Sequence, residues 1–287
     1  MEVLQLESTD GFIAFDLGEA PAVGVVRQAP KVLRDGAELL ARSTTYAAAS
    51  FGLKVGGGSA GLNAKPDGRD AALAAFLEEV APLVESGRWL PGPGVGIQAD
   101  DLSALPRAED RATAFDQTAA GESAVAAALG ALGSLDGKTV AIVGGGPITE
   151  AAAASVSANG GTPQPQAAVD APCDALLVAG KAGVLEHDLA ATVRAKAVVP
   201  LTPVTVTARA LAVLGRAGVV VVPDFLSTAA PLLAALDNHG GDAMTRVHEA
   251  VEALAGEGTN LWMAAVAKAE DHLRTWQDEL PFGRPLS

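Results

Sequence analysis

The hydrophobic pattern divides the chain into two parts. In the first third, short apolar runs over residues 11–17 and 22–27 predict strands. The helical spacing of Leu73, Phe76, Leu77 and Val80 predicts a helix over residues 70–85. This mixture indicates an α/β or α+β domain.

From residue 138 onwards the pattern becomes regular. The strand KTVAIVG is followed by the turn GGGP and the helix ITEAAAASVSAN, and the apolar runs DALLVAG, KAVVP and GVVVVP alternate with helical segments. Apolar runs of this kind are typical of parallel strands covered on both faces, which predicts a βαβ domain. Residues 161–171 are proline-rich where a second parallel strand is expected, and we interpret this unit as eroded.

Size and composition limit the classes of protein. A chain of 287 residues with 49% hydrophobic residues is sufficient for two α/β domains. Its net charge of -14, from 34 acidic and 20 basic residues, leaves no basic patch for nucleic acid. Acidic residues near the start and the absence of a long apolar run predict a soluble, cytoplasmic protein with no membrane partner. The single cysteine, Cys173, excludes an internal disulfide, and we expect no metal site.

Six stretches, in order along the chain, resemble motifs of a known family. They are GEAPAVGVVR, TTYAAASFGLKVGGGSAGL, GKTVAIVGGGPIT, APCDALLVAG, VRAKAVV and RAGVVVVPDFLSTAA. Together they resemble the glutamate/leucine/phenylalanine/valine dehydrogenase family, most closely its leucine dehydrogenase-like branch, over residues 12–276. The resemblance implies a substrate and oligomerisation domain over residues 1–120 and a reduced, doubly wound Rossmann-like domain over residues 121–258. It also implies that residues 259–287, including a C-terminal helix, return to the first domain, and that the chain forms a homodimer or larger homo-oligomer.

The resemblance also indicates that the family's catalytic groups are missing. In that family a lysine after TY holds the substrate carboxylate, a lysine closing GGGK is the general base, and an aspartate in a DxG turn handles the proton. The corresponding residues here are Ala47, Ser59 and Gly94, and the separation of 12 (59 − 47) equals the family spacing. We therefore expect a re-purposed enzyme that performs a reaction other than oxidative deamination, with Tyr46 and Ser59 as candidate catalytic residues.

We expect the ligand to be a small organic molecule in an interdomain cleft. The candidate binding residues are Arg27, Gly57, Gly58, Asn63 and Lys65. Arg27 either binds an acidic ligand or forms a structural salt bridge. The glycines form either an inherited turn or a floor whose N–H groups meet an anion. Lys65, like Lys54, either lends a cation to the site or is simply exposed.

The cofactor-binding residues of the family are matched in some positions and not in others. Gly144 and Gly146 lie in the dinucleotide-binding turn, and Thr118 matches a family threonine that touches the nicotinamide carboxamide. Against this, GTPQPQ lacks the acid that accepts the ribose hydroxyls, Thr228 stands where the family has an asparagine, and Thr202 and Pro203 stand where the family has AN. The cofactor is therefore left as none or unknown, with NAD(P) as an alternative.

Two other functions stay open. The first is an NAD(P)-dependent amino acid or keto acid oxidoreductase in which Lys54 or Lys65 replaces the lost base. The second is a non-catalytic partner or scaffold for an active paralogue.

Overall fold

The structure is a computed structural model that describes residues 1–236, 242–256 and 260–286. These residues form two compact units. Unit 1 comprises Met1–Phe115 and His272–Pro285, and unit 2 comprises the described residues of Asp116–Asp271 together with Leu286. The first division therefore falls at residue 115, near the predicted position after residue 120. The predicted division between residues 258 and 259 lies outside the described residues.

A mixed sheet forms the centre of unit 1. Its strand order is β1-β2-β4-β3-β5, in which β3 is parallel to both β4 and β5 and the other pairs are antiparallel. The strands expected over residues 11–17 and 22–27 are confirmed as β2 and β3. The bounds are β1 Glu2–Gln5, β2 Gly11–Phe15, β3 Ala22–Ala29, β4 Gly56–Asn63 and β5 Trp89–Pro93.

Helices cover the two faces of this sheet. They are α1 Arg34–Ser50, α2 Arg69–Glu85 and the short α3 Ala108–Ala114. The predicted helix over residues 70–85 is confirmed as α2, since Leu73, Phe76 and Val80 are buried in one core cluster with Trp89. The rings of Phe76 and Trp89 meet edge to face with centroids 6.3 Å apart.

A buried ion pair joins α1, β2 and the C-terminal segment of unit 1. The Arg42 guanidinium donates to Asp16 at 2.7 Å, and both side chains are almost fully buried. Arg42 Nη1 also donates to the carbonyl oxygens of Phe282 and Gly283. The exposed end of the chain is thereby attached to a buried charge pair.

Unit 2 is a doubly wound parallel domain. Its strand order is β10-β9-β8-β6-β7, and all neighbouring strands are parallel. The first strand, β6, lies between β7 on one side and β8 on the other, so the direction of strand succession reverses at β6, as in Rossmann-like domains. This confirms the predicted fold class. The strands are β6 Thr139–Val143, β7 Thr162–Pro165, β8 Ala175–Val178, β9 Ala197–Pro200 and β10 Val220–Val221. The helices are α4 Gln117–Leu132, α5 Pro147–Ala158, α6 His187–Ala190, α7 Ala208–Arg216, α8 Asp224–Ser227, α9 Ala230–Leu236, α10 Ala243–Gly256 and α11 Leu261–Leu273.

The last helix groups with unit 2 for most of its length. We expected residues 259–287 to pack with the first domain, but in the structure only His272–Pro285 group with unit 1. The reason is packing at the start of α11, where the Trp262 ring meets Phe225 edge to face at 6.2 Å. Among the described residues, no helix combines the length and apolarity needed to cross a membrane.

The proline-rich segment that we interpreted as eroded does form a strand. β7 pairs with β6 at the edge of the sheet, where the Thr162 N–H donates to the Lys138 carbonyl at 2.8 Å. Alternate N–H groups of a strand point to opposite sides, so positions 163 and 165 point away from β6. Pro163 and Pro165 have no N–H to leave unpaired there, which is why a strand tolerates both.

Candidate functional site

The three consecutive glycines belong to strand β4, so they form extended chain and not the turn that was one of their two expected roles. A Cβ atom at Gly57 would overlap the Ala41 carbonyl of α1. At Gly58 it would lie 2.9 Å from the indole nitrogen of Trp89, which donates to the Gly58 carbonyl at 2.9 Å. The glycines therefore let a helix and a tryptophan approach the strand directly.

The backbone of this glycine run is already hydrogen-bonded. The Gly56 N–H donates to the Pro21 carbonyl at 2.8 Å, and the Gly57 N–H donates to the Thr45 hydroxyl at 2.9 Å. These two N–H groups are therefore not available to an anion, which was one of the two roles considered for the glycines. Both Gly57 and Gly58 are buried under the elements described above.

Ser59 and Tyr46 are both buried. Ser59 is 1% exposed, and its hydroxyl donates to the Val25 carbonyl of β3 at 3.3 Å. Tyr46 is also 1% exposed, on the helix that packs against β4. Ala47, the next residue, is buried as well. The structure places the Ser59 hydroxyl between two strands, where it holds a backbone carbonyl.

Arg27 lies on the same side of β3 as Val25 and close to two glycines. A Cβ atom at Gly36, in the first turn of α1, would lie 3.2 Å from Arg27 Nη1. A Cβ atom at Gly94, in the loop after β5, would lie 3.2 Å from Arg27 Cγ and 2.7 Å from the Val26 carbonyl oxygen. Burial lowers the pKa of Arg27 from its ordinary value. The half-buried Arg27 side chain thus lies between two positions that carry no side chain, with its guanidinium near Gly36 and its stem near Gly94.

Asn63 and Lys65 come to the same edge of the sheet as Arg27. Residues 27–29 of β3 pair with residues 61–63 of β4, so the carboxyl ends of the two parallel strands meet there. The Asn63 amide is used within the fold, since its oxygen accepts from the Val32 N–H at 2.7 Å and its nitrogen donates to Asp10 at 2.9 Å. Lys65 is exposed, as is Lys54 at the other end of β4.

An ion pair that the sequence analysis did not identify fixes the loop after β5. Arg69 Nη2 donates to Asp101 at 2.6 Å and to the Gly96 carbonyl at 3.1 Å. The hydrogen bond from Arg69 lowers the pKa of Asp101, helped by a backbone hydrogen bond from Gln98. The loop is also joined to β3, because the Gln28 N–H donates to the Val95 carbonyl at 2.7 Å. The loop that contains Gly94 is thus held in place next to Arg27.

In unit 2, the turn between β6 and α5 has a shape that suits a phosphate. Gly144 and Gly146 have φ values of 109° and 93°, which side chains rarely adopt. Gly145 and Gly146 have open space where a Cβ atom would lie, and no side chain caps α5. Thr149 fits close to the turn because its hydroxyl donates to the Gly146 carbonyl at 2.8 Å. These residues fit the pyrophosphate part of a dinucleotide.

The residues that would hold the rest of a dinucleotide fit it less well than the turn does. The end of β7 presents the exposed residues Pro165 and Gln166, and no carboxylate that could accept ribose hydroxyls. Thr118 is exposed in the first turn of α4, where Asp116 caps the helix by accepting the Thr118 N–H at 2.8 Å. The residues present therefore fit only part of an NAD molecule. No group of three or more His, Cys, Asp or Glu side chains within the described ranges is arranged to hold a metal ion.

The loop after β9 contains a strained residue. Val204 has a φ of 56°, which is unusual for a β-branched side chain. The buried Asp224 accepts its N–H at 2.8 Å, and the Val204 carbonyl accepts the Gly183 N–H at 2.8 Å. Asp224 thus supports this loop. The nearby Thr202 hydroxyl is occupied by the Gly180 backbone, from which it accepts at 3.0 Å and to which it donates at 2.8 Å.

Comparison with known proteins identifies the class of fold. No protein-family model and no curated protein matches the chain. The hetero-hexameric, leucine-bound glutamate dehydrogenase of Thermus thermophilus matches with a TM-score of 0.73 and 22% identity, over 96% of this chain and 88% of that one. L-tryptophan dehydrogenase from Nostoc punctiforme matches with a TM-score of 0.69 and 22% identity, over 96% and 97% of the two chains.

A third solved structure extends this likeness. Glutamate dehydrogenase from Plasmodium falciparum matches with a TM-score of 0.71 and 11% identity, over 92% of this chain and 79% of that chain. The chain therefore has the amino acid dehydrogenase fold. The expected fold class is confirmed over nearly its whole length.

Proposed function

We propose that this protein is a diverged amino acid dehydrogenase homologue that binds a small organic ligand and catalyses a reaction other than NAD-dependent oxidative deamination. The ligand would bind at the carboxyl end of β3, next to Arg27 and Gly94. The proposal includes divergence from the leucine dehydrogenase-like branch and loss of the family's catalytic groups.

One observation carries this proposal. The positions that the resemblance aligns with two catalytic lysines and an aspartate are occupied by Ala47, Ser59 and Gly94. Ala47 is buried, the Ser59 hydroxyl is bound to Val25, and a side chain at position 94 would collide with the Val26 backbone. Proton transfer by a positioned group contributes about 10²–10⁴-fold to a rate, so loss of the base and acid removes most of the advantage for deamination.

Ser59 and Tyr46 stay predictions as catalytic residues. Their burial supports packing roles, and Ser59 has no acidic or basic side chain among its described hydrogen-bond partners. We therefore route no proton-transfer step through either residue. Arg27 is the residue of the predicted set whose charged group is best placed to bind and orient a ligand.

The open alternative is an NAD(P)-dependent oxidoreductase with a relocated lysine. The Gly144–Gly146 turn supports this alternative, because it fits a pyrophosphate. If NAD bound there, it would supply hydride transfer. Against it, Lys54 and Lys65 are exposed, so neither has the burial that adapts a lysine to act as a general base.

A non-catalytic role as a partner is the second alternative. The Thermus thermophilus glutamate dehydrogenase is described as hetero-hexameric, which supports the idea that chains of this fold assemble with different subunits. Assembly of this chain into a homodimer or larger homo-oligomer also remains a proposal. Both forms of assembly are compatible with ligand binding in unit 1.

Ligand binding tests the proposed function. Thermal unfolding would be followed with small carboxylic acids, 2-oxo acids, amino acids, NAD⁺ and NADP⁺, and each shift would be checked by calorimetry. We expect a small organic acid to raise the unfolding temperature and the dinucleotides to have no effect, because a ligand that binds only the folded state stabilises it. Tight binding of NAD⁺ or NADP⁺ would instead favour the oxidoreductase, and no binding at all would favour the partner role.

A Gly145→Asp variant provides the matched control. Gly145 is exposed and has open space for a side chain, so the substitution places a carboxylate at the phosphate position without a steric clash. Dinucleotide binding at this turn would be lost in the variant, whereas binding of an organic acid in unit 1 would be unchanged.

A further inference from the structure

Arg27 is a cation without a counter-charge among the described residues. Its Nε atom is buried and has no hydrogen-bond partner in the described part of the chain. Its guanidinium donates from Nη2 to the Leu33 carbonyl at 3.5 Å, which is long for such a bond. Within the described part of the chain, no carboxylate lies within ion-pair distance of Arg27. A half-buried charge of this kind is costly unless an anion joins it.

The surroundings of Arg27 add to the positive potential. Its guanidinium lies against Gly36 in the first turn of α1, where the positive end of the helix dipole lies. Leu33, the residue that precedes the helix, provides no side-chain cap. Of the charged residues at the start of α1, Arg34 is already paired with Glu38 at 2.7 Å, and Asp35 is exposed, as is Lys31 before the helix. An anion beside Arg27 would compensate both the guanidinium and the helix end.

The missing side chains at Gly36 and Gly94 let the backbone at these two positions approach Arg27 closely. Positions 36 and 94 approach the guanidinium and the stem of Arg27 respectively, and neither carries a Cβ atom. The resemblance aligns position 94 with an aspartate, whose side chain would start 3.2 Å from Arg27 Cγ. Glycine at position 94 therefore leaves Arg27 without the acid that this loop would otherwise bring next to it.

We propose that Arg27 binds the carboxylate of a small, singly charged organic acid. This inference rests on the proposed function and names the class of its ligand. The planar guanidinium matches a carboxylate with two parallel hydrogen bonds, and a single arginine suits a single negative charge. Arg27 thereby replaces the carboxylate-binding lysine of the family, whose position is occupied by the buried Ala47.

An NMR titration tests the contact directly. In protein with ¹⁵N-labelled arginine, the Nε–H signal of Arg27 would be followed while sodium pyruvate is added at constant ionic strength. We expect a saturable shift of this signal, because the buried Nε–H gains an acceptor. A parallel titration with sodium phosphate separates carboxylate from phosphate recognition. No saturable shift with pyruvate, or tighter binding of phosphate than of pyruvate, would overturn the proposal.

Three variants complete the experiment. Arg27→Gln is expected to weaken pyruvate binding about tenfold or more, and Arg27→Lys to recover part of the loss because it restores charge without the planar fork. Arg34→Gln removes a neighbouring exposed charge and is expected to bind pyruvate like the wild type. Equal binding by wild type and Arg27→Gln would overturn the proposal, and if Arg27→Gln did not fold, the wild-type titration and Arg27→Lys would decide.

The proposed function and this inference fail in different ways. If organic acids from the ligand screen still stabilise Arg27→Gln as much as the wild type, the protein binds small ligands but Arg27 does not hold their carboxylate. If no ligand in that screen binds, the proposed function fails before Arg27 is considered.

Discussion

The Ser59 hydroxyl donates to the Val25 carbonyl at 3.3 Å, so this side chain, at the position that the resemblance aligns with a base lysine, joins two neighbouring strands. Ser59 is buried in β4 next to two glycines that are themselves covered by α1 and Trp89. A structural role explains a serine at this position without any reaction.

Replacing Ser59 separates the structural from the catalytic role. Ser59→Ala removes one hydrogen bond and is expected to lower the free energy of unfolding by about 0.5–1.5 kcal/mol. Ser59→Lys places a charge in the same buried position and is expected to cost about 3–5 kcal/mol. Urea unfolding measures both changes, with the exposed Lys54→Ala as a control. Loss of an identified activity in Ser59→Ala at unchanged stability would instead support catalysis by Ser59.

The close contact at Gly57 predicts a strong response to one methyl group. Gly57→Ala is expected to lower the free energy of unfolding by about 1–3 kcal/mol or more, because the new Cβ atom overlaps the Ala41 carbonyl. The matched control is Gly215→Ala in helix α7, where the space is open and the substitution is expected to stabilise by about 0.5–1 kcal/mol. Equal effects at the two positions would contradict the packing of α1 on β4.

The pair Arg69–Asp101 predicts how stability changes with pH. Because Arg69 lowers the pKa of Asp101, the folded state is favoured while this carboxyl is ionised, and the gain is lost as pH falls through its folded pKa. Asp101→Asn should therefore reduce stability near pH 7, and the difference from wild type should shrink below about pH 4. Urea unfolding across this pH range measures the difference in stability between the variant and the wild type, with Asp100→Asn as the control. A difference that stays constant with pH would count against the ion pair.

The prolines of β7 predict how the sheet edge behaves. The double variant Pro163→Val and Pro165→Val supplies two N–H groups that point away from β6 and have no partner in the sheet. We expect more self-association at high concentration, measured by light scattering, because an open edge is a template for further strands. The exposed Pro172→Val, outside the strands, is the control. An unchanged molecular mass would show that these prolines do not protect the edge.

Much of the fold could be predicted from local patterns. The apolar runs at β2, β3 and β6 and the helical spacing of Leu73, Phe76 and Val80 are short-range signals that each element carries in its own sequence. β7 was missed because the cost of a proline in a strand depends on the side to which its nitrogen points, and this is fixed only when β6 is in place.

The candidate site was harder to predict because its contacts depend on distant residues. The glycines at positions 57 and 58 resemble a loop in sequence, and only the approach of Ala41 and Trp89 shows why a strand needs them. Arg69 and Asp101 are 32 residues apart, and no local pattern predicts that they pair. Arg27 was identified from its place after a strand, but the absence of a described counter-charge is visible only in the folded chain.

The most direct test of the central claim is an assay for oxidative deamination. L-leucine, L-glutamate and L-tryptophan would each be incubated with NAD⁺ or NADP⁺ and the purified protein, with a glutamate dehydrogenase as positive control, and formation of the reduced cofactor would be followed by absorbance. We predict no signal above the protein-free background, because positions 47, 59 and 94 carry no lysine or aspartate. Turnover at about one per second or faster, within the ordinary range of enzymes, would contradict the claim.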